Sequence, residues 1–171
     1  MGRFAPSAFL VLSLLVLGAC GAAPVGPDTP DALTYPLTLG ANDTTGTFQP
    51  FREGQDVELV EGAQGGFHVW MRYRASGVVG MRAELQRVAH RVDDGALILR
   101  STSQSTIVDE SDLMPMFMCP SPVGISVIDE PMRFELRFVD EDGQLLSAGT
   151  TTLVPHCPEA NREFCLRICT G

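Results

Sequence analysis

The chain has 171 residues, with 12 basic residues, all arginine, against 21 acidic ones and a formal net charge of −9. So acidic a balance excludes nucleic acid as a partner and electrostatic adhesion to anionic lipid, since both need a field of the opposite sign. The length suits one domain with a real core plus accessory segments.

In chain order, the first predicted element is an export signal, residues 1–19. Arg3 supplies a short positive region and Ala8 to Leu17 an apolar run, too short for the roughly 20 residues a membrane-spanning helix needs. The run ends in Leu17-Gly18-Ala19-Cys20, which resembles the lipobox of bacterial lipoproteins. Small residues let the backbone enter a peptidase groove, and the Cys20 thiol is the nucleophile that takes up diacylglycerol. Cleavage would make Cys20 the first residue of the mature chain and its acyl chains the link to the membrane. At about 0.8 kcal/mol per buried methylene, two or three chains hold a protein permanently. Gly21 and Ala22 follow with no aspartate, which by resemblance to enteric sorting rules points to the outer membrane. Residues 20–32 are small and proline-rich, a flexible tether.

From residue 33 onward the hydrophobic period is two. Val57 and Leu59 mark a short strand. After Gly65-Gly66, which supply freedom for positive φ, residues 67–75 alternate. Phe67, Val69, Met71 and Tyr73 form an apolar face, while His68, Trp70, Arg72 and Arg74 point outward. An outward tryptophan beside arginines is a candidate ligand surface, by stacking or cation–π contact. The plainer alternative is that neighbouring side chains cover it. Met81, Ala83 and Leu85 set the face of the next strand. Asp94-Gly95 then signals a hairpin into Ala96–Ser101. Met132, Phe134, Leu136 and Phe138 alternate with Arg133, Glu135 and Arg137, and an Asp-Gly turn at 142–143 leads to a last strand. Seven or eight short strands with regular turn signals predict an all-β domain over 33–171, a single antiparallel β-sandwich of immunoglobulin or fibronectin type. A small barrel is the second choice. Glu159 to Ile168 reads as a short C-terminal helix.

With Cys20 committed to lipid, Cys119, Cys157, Cys165 and Cys169 remain, an even number in an exported chain, and predict two disulfides. A zinc site would want paired C-x2-C knuckles, which this spacing lacks. Cys165 and Cys169 stand one helical turn apart and share a face, so each staples the helix elsewhere. Cys119 takes one and Cys157 the other, in an order the spacing leaves open.

Signatures of chemistry are sparse. Met114, Met116 and Met118 alternate, and with His68 could be imagined to hold Cu(I). Methionine also fills irregular core space, and Pro115 disfavours a central strand. Asp140 to Gly143 faintly resembles a calcium loop but lacks the later oxygen ligands, and a hairpin turn accounts for it. Asp109, Glu110 and Asp112 read as a solvated loop. The chain contains no nucleophile elbow, zinc-protease motif, phosphate loop or redox C-x-x-C pair.

The run from Val57 to Trp70, the Met/Pro-rich segment around Cys119 and the C-terminal cysteine cluster resemble uncharacterised envelope lipoproteins of myxobacteria and their relatives. The resemblance covers most of residues 45–170 and implies a β-rich envelope lipoprotein, with no activity and no catalytic residue to carry over. The expectation is therefore a lipid-anchored envelope protein acting as a binding or structural module, not an enzyme, with no cofactor and no resident metal. It faces the periplasm or the cell surface and has an unspecified envelope partner. A copper-handling lipoprotein and an envelope hydrolase are the alternatives.

Overall fold

The computed structural model describes residues 34–122 and 124–170. The export signal (1–19), Cys20 and the tether (20–32) lie outside the described residues. The strands are β1 (Tyr35–Pro36), β2 (Thr38–Asn42), β3 (Phe48–Pro50), β4 (Gln55–Glu58), β5 (Val60–Glu61), β6 (Phe67–Arg74), β7 (Arg82–Arg91), β8 (Leu97–Thr106), β9 (Met114–Cys119), β10 (Met132–Val139) and β11 (Leu145–His156). A 3-10 turn, Glu159–Asn161, leads into the helix α1 (Arg162–Cys169).

Two sheets form. The first runs β1-β11-β10-β7-β8, with β4 also on β11; the second runs β3-β2-β6-β5, with β9 on the far edge of β6. Most pairs are antiparallel, as expected, and Asp94 closes the β7–β8 hairpin by accepting the Ala96 N–H at 3.0 Å. The departure is at β11, where both β1 and β4 pair in parallel. Parallel neighbours need a crossover between them. Here the chain leaves β1, makes the β2–β3 hairpin in the second sheet and returns as β4, meeting β11 again in the same direction.

The core lies between the sheets, and the period-two pattern selects its residues. On β6, Phe67, Val69, Met71 and Tyr73 are buried; on β10, so are Met132, Phe134, Leu136 and Phe138. Tyr73 meets Phe138 across the core edge-on, ring centres 5.3 Å apart, a favoured aromatic geometry. Burial pushes the Tyr73 phenol above its usual pKa, and its oxygen accepts the Val108 N–H at 3.4 Å. Met81, expected to face inward with Ala83 and Leu85, is exposed instead, because it belongs to a turn closed by its N–H on Val78 O.

Helix α1 closes one end of the molecule. Cys169 bonds to Cys119 at the end of β9, and Cys165 to Cys157 just past β11. The two strands belong to different sheets, so a single helix cross-links both, and Phe164 packs on Phe67 with ring centres 5.7 Å apart. All four cysteines are buried.

Candidate functional site

The turn at Gly62–Gly66 shapes the outer face of the second sheet. Its N–H groups close it, Gly65 onto Gly62 O at 3.0 Å and Gly62 onto Gly66 O at 2.7 Å. Of the two glycines expected to supply positive φ, only Gly65 does so, at +78°. Gly66 serves another need: a Cβ there would stand 2.5 Å from the Cys119 carbonyl oxygen and 2.6 Å from the Phe117 ring. At Gly62 a Cβ would fall 2.3 Å from the His68 ring. The turn is thus pressed flat onto two aromatic rings, which only glycine permits.

Those rings belong to a ledge. Register places Val60 on β5, His68 on β6 and Phe117 on β9 directly opposite one another, and Trp70 opposite Pro115. Paired residues share a face, so these five side chains lie together on the outer surface. His68 stacks edge-on to Phe117, centres 5.2 Å apart, and stands 6.1 Å from Trp70. Phe117 is 41% exposed and Val60 44%, while His68 and Trp70 are half-buried. The His68 Nδ1 is buried without a hydrogen-bond partner. Held between Gly62 and Phe117, this ring acts as a packing element beneath the ledge.

Arg72 and Arg74 point outward but are engaged. Arg72 donates to Glu110 at 2.7 Å, to the Ser111 carbonyl at 2.6 Å and to Asn42 Oδ1. Arg74 donates to the other Glu110 oxygen at 2.6 Å and lies over the Phe48 ring, 4.4 Å from its centre. One carboxylate therefore gathers two arginines, bolting the 109–111 segment to β6. Arg72 and Arg74, expected beside Trp70, are thus turned toward Glu110, and one expectation is corrected in part: within the acidic loop Glu110 is a structural partner, while Asp109 and Asp112 stay exposed as expected.

The methionine run resolves by face. Met116 and Met118 are fully buried, and Met114 and Met116 pair with Met71 and Val69 on the core side. His68 is on the opposite face of the same sheet and cannot join them at one ion. Among the described residues no group of three or more histidine, cysteine or carboxylate side chains is placed to hold a metal. Asp140 proves to be a turn residue, accepting the N–H groups of Asp142 and Gln144 at 3.0 and 2.8 Å. The His90 Nδ1 lies 3.2 Å from the Gly95 carbonyl.

Two ledge members, Val60 and Phe117, escape a sequence reading, because a two-residue strand shows no period and in β9 the alternating methionines draw attention to the face opposite Phe117. The Glu110 clamp had a signal: two arginines at alternate positions and an acidic cluster downstream. No family model matches the chain, and neither a curated protein nor a solved structure shows significant similarity to it.

Proposed function

We propose that the protein is an envelope lipoprotein, anchored through acylated Cys20, whose two-sheet domain is a binding module that receives its partner on the Val60–Phe117–Trp70 ledge. One observation carries this reading. Val60 and Phe117 stand exposed on one sheet face, flanking half-buried His68 beside Trp70, and apolar side chains gathered at one exposed place mark interaction rather than packing. Trp70 and Phe117 offer broad rigid contact area at low entropic cost, as interface anchors do. The lipobox, the tether and two disulfides agree with an exported, oxidising setting, and the likeness to myxobacterial envelope lipoproteins points the same way.

The finer architecture in this reading is an immunoglobulin- or fibronectin-like sandwich. It is supported by two antiparallel-rich sheets around one core. Its departures are the outward Trp70 and the placement of both disulfides at one end. Copper handling loses its motivation once His68 and the methionines occupy opposite faces. A hydrolase has no catalytic motif in the sequence to support it.

The test is site-specific photo-crosslinking in the cell. A benzoylphenylalanine at position 117 or 60 should capture one envelope partner, and Trp70→Ala should abolish capture. The same group at Glu135, outward on the first sheet, should not capture it. Equal yields at all three positions would overturn the ledge as the binding surface.

A further inference from the structure

Most open strand edges of the molecule are blunted. In the second sheet β9 carries Pro115 and β3 carries Pro50, each lacking a backbone donor; in the first, β1 contains Pro36 and β4 is short and acidic. At the other end of the first sheet β8 has none of these devices. It is ten residues long and is hydrogen-bonded as a strand only to β7 among the described residues. From Ser101 to Thr106 it has neither charge nor proline, and its register is unbroken from Leu99 to Thr106. Such an edge presents a row of unpaired donors and acceptors, a template for another strand.

A second, independent observation lies beside it. Arg87 shares the inward parity of Leu85 and Ala89, with Leu136 directly opposite on one side and Ser101 on the other. Its Nε is buried with no hydrogen-bond partner. On the side toward the free edge the inward residues of β8 are Ser101, Ser103 and Ser105, small enough to leave the way open. A strand added to β8 would lie about two spacings, roughly 9.6 Å, from β7. An arginine and a carboxylate side chain reaching toward each other span that gap.

We propose that β8 is a docking edge for an extended segment of another polypeptide, which adds as the next strand and turns a glutamate or aspartate inward onto Arg87. Charge selects this occupant. Strands β7 and β8 carry Arg82, Arg87 and Arg100 against the single acid Glu84, a fourth arginine, Arg91, being held by Asp94, in a chain whose net charge is −9. A second copy of β8, which contains no acid, would bring no carboxylate to Arg87. Backbone bonds supply affinity and the Arg87 pair supplies selectivity, as in other strand-addition sites. This edge is separate from the ledge and does not depend on it.

The test uses the full chain and a capped peptide of alternating threonine and valine with one central glutamate, alongside its glutamine twin. Amide hydrogen exchange should show protection gained across residues 99–106. The glutamate peptide should bind about tenfold more tightly than the glutamine peptide. Arg87→Gln should make the two equal. Ser101→Glu, which supplies Arg87 with an internal partner, should also remove the preference in a chain that folds independently of the first substitution. Equal binding of both peptides to the native chain would overturn the proposal, as would protection outside β8. Concentration-dependent protection of β8 without peptide would overturn it too, by identifying a second copy as the occupant.

Discussion

The two disulfides close loops of very different length through one helix, and their removal should cost unequal amounts. The sequence separations are 50 for Cys119–Cys169 and 8 for Cys157–Cys165. Loop-closure entropy in the unfolded chain then predicts losses of about 4 kcal/mol and about 2.5 kcal/mol respectively. Paired substitutions are needed, because Cys165 and Cys169 lie with sulfurs 3.9 Å apart and a thiol left single could exchange. The double variants Cys119→Ala/Cys169→Ala and Cys157→Ala/Cys165→Ala remove the same atoms from equally buried positions, so their cavity terms nearly cancel. The difference of about 1.6 kcal/mol corresponds to roughly 0.8 M in urea midpoint at an m-value of about 2 kcal/mol/M. Equilibrium unfolding of the purified chain reads it directly. Equal midpoints, or a larger loss from opening the short loop, would refute the reasoning that unfolded-state entropy dominates here.

Gly66→Ala should destabilise by about 1–3 kcal/mol in urea unfolding, because the Cys119 carbonyl it would strike is backbone. Gly62→Ala should cost less, since only the His68 ring must turn, and the reverse order would refute this assignment. Glu110→Gln should cost about 1–2 kcal/mol by the same assay, as it leaves Arg72, with a side chain only 14% exposed, without its ion-pair partner; an unchanged midpoint would deny the clamp. The Arg91 side chain, bonding to Asp94, holds that carboxyl at about 2 rather than the ordinary 3.8. The unfolded chain therefore binds more protons in acid, so the contribution of Asp94 is full above about pH 4 and is lost as pH falls toward 2. Asp94→Asn, which keeps an oxygen for the Ala96 N–H, should flatten stability against pH in that window, and an unaltered slope would count against the pair.

The sequence made legible those elements in which one face is buried and the other wet. In β6 and β10 the alternation from Phe67 to Tyr73 and from Met132 to Phe138 named the core residues correctly. The last helix and the shared face of Cys165 and Cys169 followed from a one-turn spacing, and the structure supplies the order of pairing. Strands without such contrast were hidden. The second half of β8, Ser101 to Thr106, has no apolar period at all and is a strand because β7 pairs with it along its length. Strand β1 is too short to show a period, and although Val57 marked β4, the parallel pairing of both with β11 rests on the path of the chain. At the site, parity placed His68 and Trp70 outward, but what lies beside them was set by register. Phe117 reaches the ledge because it pairs with His68, and the arginines leave it because Glu110 holds them.

The central claim is that this domain works at a lipid surface, held there by one sulfur. Intact-mass and N-terminal peptide analysis of the protein isolated from the cell envelope tests that claim most directly. The expected result is a chain beginning at Cys20 whose first residue carries a diacylglycerol thioether. A chain beginning elsewhere, or a Cys20 without acyl groups, would contradict it.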